Sequence, residues 1–232
     1  MELVLDKKPK NATIIEGFPG FGLVSTITTE YLISHLNAQQ IGKIEFEELP
    51  PVVAVHGGDV IEPIGIFYAK KYNLVILHAL TSVNGFEWNI AKKVTELSKI
   101  LNAKEIICIE GVGSVSETNN VYYLSESFSS KIIKKTNIKE LKEGIIMGVS
   151  GALMVNRRLP TSCFFSETHS NLPDSRAAAK LIEVLDKYLG LKVDPKPLIK
   201  KAEEFETKIK GLIEKSKEAT EEKERKELSY LG

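Results

Sequence analysis

A short apolar run, Ala12 to Ile15, passes through Glu16-Gly17-Phe18-Pro19-Gly20-Phe21-Gly22 into Leu23-Val24 and a helical pattern. This succession of strand, tight turn and helix constrains the fold more than any other stretch. Glycines at such a junction permit positive φ and close backbone approach, and the first amides of a helix are open to an anion. Read as a dinucleotide fingerprint, however, Gly20-x-Gly22 is followed by Ser25 where the third glycine belongs, and no Gly-Lys-Ser/Thr follows. Phe18, Pro19 and Phe21 make the turn apolar, and the nearest preceding charge, Glu16, repels a phosphate. The turn therefore reads as a structural corner or packing surface before it reads as a phosphate cradle.

At 232 residues, the chain is long enough for one large α/β domain, or a domain plus an appendage. Its 31 lysines and arginines balance 31 acids, so no overall basic field argues for nucleic acid. Of the two cysteines, Cys108 sits inside the apolar run Ile106 to Ile109, which suits a buried thiol better than a disulfide framework and fits a reducing setting. The segment Met1 to Lys8 lacks a basic start with a long apolar core behind it, and no run of about 18 apolar residues occurs. The expectation is a cytoplasmic protein with no membrane and no nucleic-acid partner.

Along the chain, Leu23 to Leu36 has helical spacing, with Leu23, Ile27, Tyr31 and His35 on one stripe. Val52 to His56 and Val60 to Tyr68 flank Gly57-Gly58 as a hairpin would. Leu74 to Leu80 reads as a fully buried strand, and Asn84 with Glu87 as a capping box opening a helix to about Leu101. Ile106 to Glu110 is the next strand, ending in Gly111-x-Gly113-Ser114, and the strand, helix, strand order implies a right-handed parallel crossover. Further on, the sequence predicts strands at Val121 to Leu124, Glu143 to Val149 and Cys163 to Ser166, and a short helix at Phe128 to Thr136. Pro173-Asp174 begins a helix that Gly190 terminates, and Asp194 caps another with Pro195 at its first position. That last helix carries Leu198, Ile199, Ala202, Phe205, Ile209, Leu212 and Ile213 before becoming almost entirely charged, so its first half should dock and its second half project into water. The organisation expected is a globular α/β/α domain over residues 1–193, a C-terminal helix over 194–227 and a tail over 228–232.

Three glycine-bearing turns, at Gly17 to Gly22, Gly111 to Gly113 and Gly148 to Gly151, each follow a predicted strand. In a parallel sheet they would gather at the carboxyl edge, where ligand crevices form. Polar candidates there are Glu110, Ser114, Ser150, Asn156, Arg157, Arg158, Glu167 and His169. Known catalytic patterns are poorly matched: there is no Cys-x-x-Cys, no His-x-x-x-His, and no Gly-x-Ser-x-Gly elbow. His169, beside Glu167 and Asp174, has the chemistry of an acid–base but equally that of a hydrogen-bonding residue at a helix entry. His78 and His56 read as structural. No metal, cofactor or catalytic residue is expected. The alternative function these residues allow is an enzyme acting on a nucleoside-like or phosphorylated small molecule in the glycine-turn crevice, with His169, Glu167 and Arg157 as polar participants.

Gly17-Phe18-Pro19-Gly20-Phe21-Gly22-Leu23-Val24, Glu110-Gly111-Val112-Gly113, Gly148-x-x-Gly151, and Glu167-Thr168-His169 followed by Pro173-Asp174 and Ala177-Ala178-Ala179 together resemble the proteasome assembly chaperone family, in its archaeal and bacterial branch. The resemblance runs from about Ala12 to Ile213. It implies a three-layer α/β/α domain with a mixed, largely parallel sheet, similar in outline to purine nucleoside phosphorylases, that self-associates and promotes proteasome assembly without catalysis. A homologous chaperone is a further partner it implies. Family members that engage the proteasome do so through a C-terminal segment ending in a hydrophobic residue, tyrosine and a final residue, which enters pockets between α subunits. Here the chain ends Leu228-Ser229-Tyr230-Leu231-Gly232, with tyrosine third from the end. Independently, an aromatic and two leucines after a charged stretch suit an apolar anchor on a soluble tether. Leu228, Tyr230, Leu231 and Gly232 are thus the expected proteasome-binding residues, and Phe18, Pro19, Phe21, Arg157 and His169 an expected oligomer or pocket surface; aromatics are enriched at such interfaces.

Overall fold

A computed structural model describes residues 1–48, 54–56, 59–114, 119–155, 160–169, 172–197 and 199–200. The chain enters as two strands, β1 (Glu2–Leu5) and β2 (Thr13–Gly17), and turns through the glycine loop into α1 (Val24–His35) and β3 (Gln39–Glu45). Strands β4 (Ala54–His56) and β5 (Asp59–Ile61) pair with each other, apart from the main sheet. Next come β6 (Ile64–Ala69), β7 (Leu74–Ala79), α2 (Glu87–Leu101), β8 (Glu105–Gly113), β9 (Val121–Ser125), α3 (Ser129–Thr136), β10 (Lys139–Glu140), α4 (Gly148–Val155), β11 (Thr161–Thr168) and α5 (Ser175–Leu189).

Nine strands form one mixed sheet in the order β1-β3-β6-β7-β2-β8-β11-β9-β10. Its centre, β7-β2-β8-β11, is parallel throughout, whereas β1, β3 and β6 on one side and β9 on the other join antiparallel. The central strands are the near-continuous apolar runs, as expected of strands covered on both faces. Every residue of β7 is buried, and so is all of β11 beyond Thr161. Alternate residues supply two cores. Ile14, Val75, Leu77, Ile106 and Phe165 pack with α2 and α4, while Ile15, Ile76, Ile107, Ile109 and Phe164 pack with α1, α3 and α5. The result is the three-layer α/β/α arrangement, and the crossover from β7 through α2 to β8 passes over β2.

Several local expectations are corrected. Helix α1 buries Val24, Ser25, Thr28, Thr29 and Leu32 rather than the stripe of Leu23, Ile27, Tyr31 and His35. Two of its hydroxyls are tolerated inside because they bond locally: Ser25 Oγ donates to Phe18 O (2.7 Å) and Thr29 Oγ1 to Ser25 O (3.0 Å), while Thr28 Oγ1 is buried with no hydrogen-bond partner among the described residues. Gly111 to Gly113 is the end of β8, not a turn after it. A Cβ on Gly111 would lie 2.1 Å from Phe21 O, so this glycine admits the neighbouring loop rather than a bend. The strand expected over Glu143 to Val149 is absent; Gly148 to Gly151 instead opens α4, whose Val149, Ala152 and Leu153 are buried. The capping box is also different: α2 begins at Glu87, whose carboxylate accepts from Gly85 N (3.1 Å), and Asn84 is not its cap. The second hairpin strand is interrupted at Glu62-Pro63, dividing it between β5 and β6.

At the end of α5, Gly190 takes the left-handed conformation (φ 74°) as the sequence requires. Asp194 Oδ1 accepts from Lys196 N (3.0 Å) and Ile199 N donates to Pro195 O (3.1 Å), starting the next helical turn. The remainder of the expected C-terminal helix and the tail 228–232 lie outside the described residues.

Candidate functional site at the carboxyl edge of the sheet

The glycine loop after β2 is held by β8, by β11 and by the entry to α5. Phe18 turns back into the core, Gly22 adopts φ 64°, and Gly22 O accepts from Asp174 N (2.8 Å). A Cβ on Gly22 would stand 2.6 Å from Thr168 Oγ1, so both the torsion and the contact demand glycine. Asp174 is the fastener: its Oδ2 accepts from Thr168 Oγ1 (2.7 Å) and its Oδ1 from Ala177 N (2.9 Å), which caps α5. These contacts place the loop over the ends of β8 and β11.

There the loop, the end of β8 and the start of α4 enclose a cavity of about 950 Å³, so the three glycine segments do meet at one site. Phe18, Phe21, Glu110, Met147, Phe165 and Glu167 line it. At it stands a carboxyl pair, Glu16 buried and Glu110 half-buried. Glu16, on β2, is 1% exposed and accepts from Ser150 Oγ of α4 (2.8 Å). Burial pushes its pKa up to about 8, with the neighbouring Glu110 adding to the rise and Cys108 and Ser150 opposing it. Glu110 is half-buried; desolvation raises it to about 7, again opposed by Ser150. Cys108 stands in register with both Glu16 and Cys163. Its thiol is held well above its usual value, first by burial and then by Cys163 and Glu16.

Of the polar residues expected here, Glu110 and Glu167 line the cavity and Ser150 bonds to Glu16. Glu167 is engaged by Asn120 N (3.1 Å), Asn120 Nδ2 (2.8 Å) and Tyr122 OH (3.2 Å), so it fixes the turn entering β9. His169 is exposed outside the cavity lining, with Nδ1 4.0 Å from Asp174 Oδ2. Phe18, Pro19 and Phe21 are cavity-lining, but Phe18 is also core, whereas Phe21 is exposed. Asn156, Arg157 and Arg158 lie outside the described residues, as do Leu228, Tyr230, Leu231 and Gly232. His78 is structural, as expected: it is buried against Thr29 Oγ1 (2.8 Å), and desolvation lowers its pKa to about 4. Among the described residues no group of three or more His, Cys, Asp or Glu is placed to hold a metal, and no helix is long and apolar enough to cross a membrane.

Sequence reasoning missed the two most exposed apolar side chains of the rim, Ile145 at 88% and Met147 at 74%. They fall within the strand expected over Glu143 to Val149. It also took Glu16 only as a charge that repels phosphate, although a carboxylate between Ile15 and Gly17 in a buried strand signals a perturbed acid.

Comparison with known proteins agrees with this geometry. The crystal structure of Pyrococcus furiosus PbaA, described as an archaeal homolog of proteasome-assembly chaperone, superimposes with a TM-score of 0.82 at 33% identity, covering 97% of this chain and 96% of that one. Pyrococcus furiosus PbaB, described as an archaeal proteasome activator, shares the fold with a TM-score of 0.77 at 21% identity over 91% of this chain and 98% of its own. An uncharacterized Methanocaldococcus jannaschii protein is 27% identical over 209 residues, covering 88% of this chain and 87% of that protein. The PAC2 family model matches residues 14–213, from the second strand through the glycine loop and the sheet into the C-terminal extension, and the chain belongs to the PAC2 family.

Proposed function

We propose that the protein is a non-enzymatic proteasome-assembly factor: a homo-oligomer that binds the proteasome α-subunit ring through Leu228, Tyr230, Leu231 and Gly232. The observation that carries this reading is the likeness to PbaA over nearly the whole of both chains. The carboxyl edge supports it. Where a phosphate site would present amides and a cation, this loop presents Phe18, Pro19 and Phe21 beside one buried and one half-buried carboxyl, a combination that disfavours nucleotides and phosphorylated metabolites. Weak individual tails become effective when several act from one scaffold whose tethers span the sites on the ring.

Deleting residues 228–232 should abolish co-migration with proteasome α rings in size-exclusion chromatography while leaving thermal unfolding unchanged. A truncated protein that binds the ring as well as the full chain would overturn the tail mechanism. Phe21, exposed beside the cavity, is the aromatic assigned to subunit contact. Phe21→Ser should lower the native mass measured by light scattering; an unchanged mass removes Phe21 from the interface. Phe18 is unsuited to that test because it belongs to the core.

A further inference from the structure

The cavity has a chemical bias that the assembly reading does not use. Five of its lining residues are glutamates and two are lysines, and one of these, Lys142, is paired with Glu140. The wall between the acids is apolar, built from Phe18, Val83 and Phe165, and its outer rim exposes Ile145 and Met147. Exposed aliphatic side chains that continue out of an acidic cavity call for a cover larger than a small ion, because their area is removed from water only by another apolar surface. We propose that this cavity receives an arginine or lysine side chain of a partner polypeptide, with the apolar residues flanking it in the partner resting on Ile145 and Met147. Charge complementarity sets the occupant: a cation desolvated beside Glu110 meets the carboxyl that the fold leaves without a described cation, and a planar guanidinium satisfies it with two hydrogen bonds.

Ser150 and Glu16 are the described polar neighbours of Glu110, and neither supplies positive charge. A cation entering the cavity therefore ionises Glu110 and releases protons, which gives the site a signature that purely apolar docking lacks. The proposal makes no use of the tail segment; it shares Phe21 of the cavity lining with the subunit contact proposed above, and peptide binding measured against self-association separates the two.

The probe is a pool of acetylated, amidated pentapeptides with arginine at the centre and leucine, isoleucine, methionine or phenylalanine beside it, titrated calorimetrically into the full-length protein. The control pool carries citrulline, which keeps the shape and removes the charge. The arginine pool should bind at least about tenfold more tightly. Its heat at pH 7 should depend on the ionisation enthalpy of the buffer, corresponding to release of about half a proton, as expected for a group titrating near 7. Glu110→Gln should remove both the preference and the proton release, and Ile145→Asp should weaken both pools. Glu143→Gln, at an exposed lining position, provides a second reduction in preference should Glu110→Gln fail to fold. Equal binding of the two pools, or binding untouched by these substitutions, overturns the proposal. So does argininamide alone binding as tightly as the pool, which would make this a small-cation site. Loss of peptide binding as the protein self-associates at higher concentration would assign the cavity to a second copy instead and equally sink the proposal.

Discussion

At the amino edge of the parallel strands, Glu105 is 3% exposed and fully engaged: it accepts from Tyr188 OH (2.7 and 3.0 Å) and Ser162 Oγ (2.7 Å), and Lys131 Nζ stands 3.3 Å away. At the carboxyl edge, Glu16 on the adjacent strand is buried as deeply but meets Ser150, Cys108 and a second carboxyl, Glu110. The same side chain thus serves two ends of one sheet differently. Where a cation and hydroxyls surround it, the carboxylate closes the edge. Where a single hydroxyl, that of Ser150, and no described cation reaches it, the acid is held near neutral form beside an open cavity, and Phe21, Trp88, Ile145, Met147 and Leu172 remain exposed on the surrounding segments. A saturated network marks a structural end, and an uncompensated acid among uncovered apolar groups marks an end built to meet something else.

The largest test of this contrast is Glu105→Ala. It strands the Tyr188 hydroxyl, leaves Ser162 Oγ only its contact with Ser125 Oγ (3.1 Å) and opens a void under Lys131, so unfolding free energy from urea denaturation should fall by about 4 kcal/mol. A loss below about 1 kcal/mol would show that the network does not hold the amino edge.

The carboxyl edge should respond to pH in the opposite sense to a paired acid. Glu16 and Glu110 have folded pKa values of about 8 and about 7 against an ordinary 4.5, so above pH 4.5 the native state holds more protons than the unfolded chain. Stability therefore falls as pH rises, and the contribution is gone once both carboxyls ionise. His78, lowered to about 4, acts the other way below pH 6.5, because there the unfolded chain binds the extra proton. The raised Cys108 thiol adds its own loss only near and above pH 9. Between pH 6.5 and 8.5 the carboxyl pair should dominate, with a decrease of about 3 kcal/mol. Glu16→Gln should flatten that slope and make the variant more stable than the parent at pH 8.5. A parallel pair of curves would mean that Glu16 is not the titrating group.

The difference between the edges was only half visible in the chain. Leu74 to Leu80, Ile106 to Glu110 and Cys163 to Ser166 announced buried parallel strands because uninterrupted apolar runs have few other destinations, and the three glycine segments pointed to one edge. What failed was reading burial from apolarity alone. Helix α1 buries Ser25 and Thr29, whose hydroxyls are satisfied by nearby backbone, together with Thr28, so its inward face carries no apolar stripe. Ile145 to Met147 looked like a strand because β-branched and long apolar residues are normally interior, yet they lead into α4 from outside. The saturation of Glu105 depends on Tyr188, 83 positions away, and no local pattern encodes that meeting.

The mildest and most discriminating perturbation is Lys131→Met, which asks whether the cation alone separates the two edges. Lys131 is 45% exposed at its side chain and also lies over the Tyr188 ring, 4.4 Å from its centroid. Solvent screening limits the pair, and methionine keeps most of the packing against the ring, so the loss at pH 7 should be only about 0.5–1 kcal/mol. The loss should shrink at high salt, which screens the half-exposed pair, while Glu16→Gln should show its largest benefit in mild alkali. If Lys131→Met instead costs the same at low and at high salt, its role is packing on Tyr188, and the amino edge owes its closure to the hydroxyls of Tyr188 and Ser162.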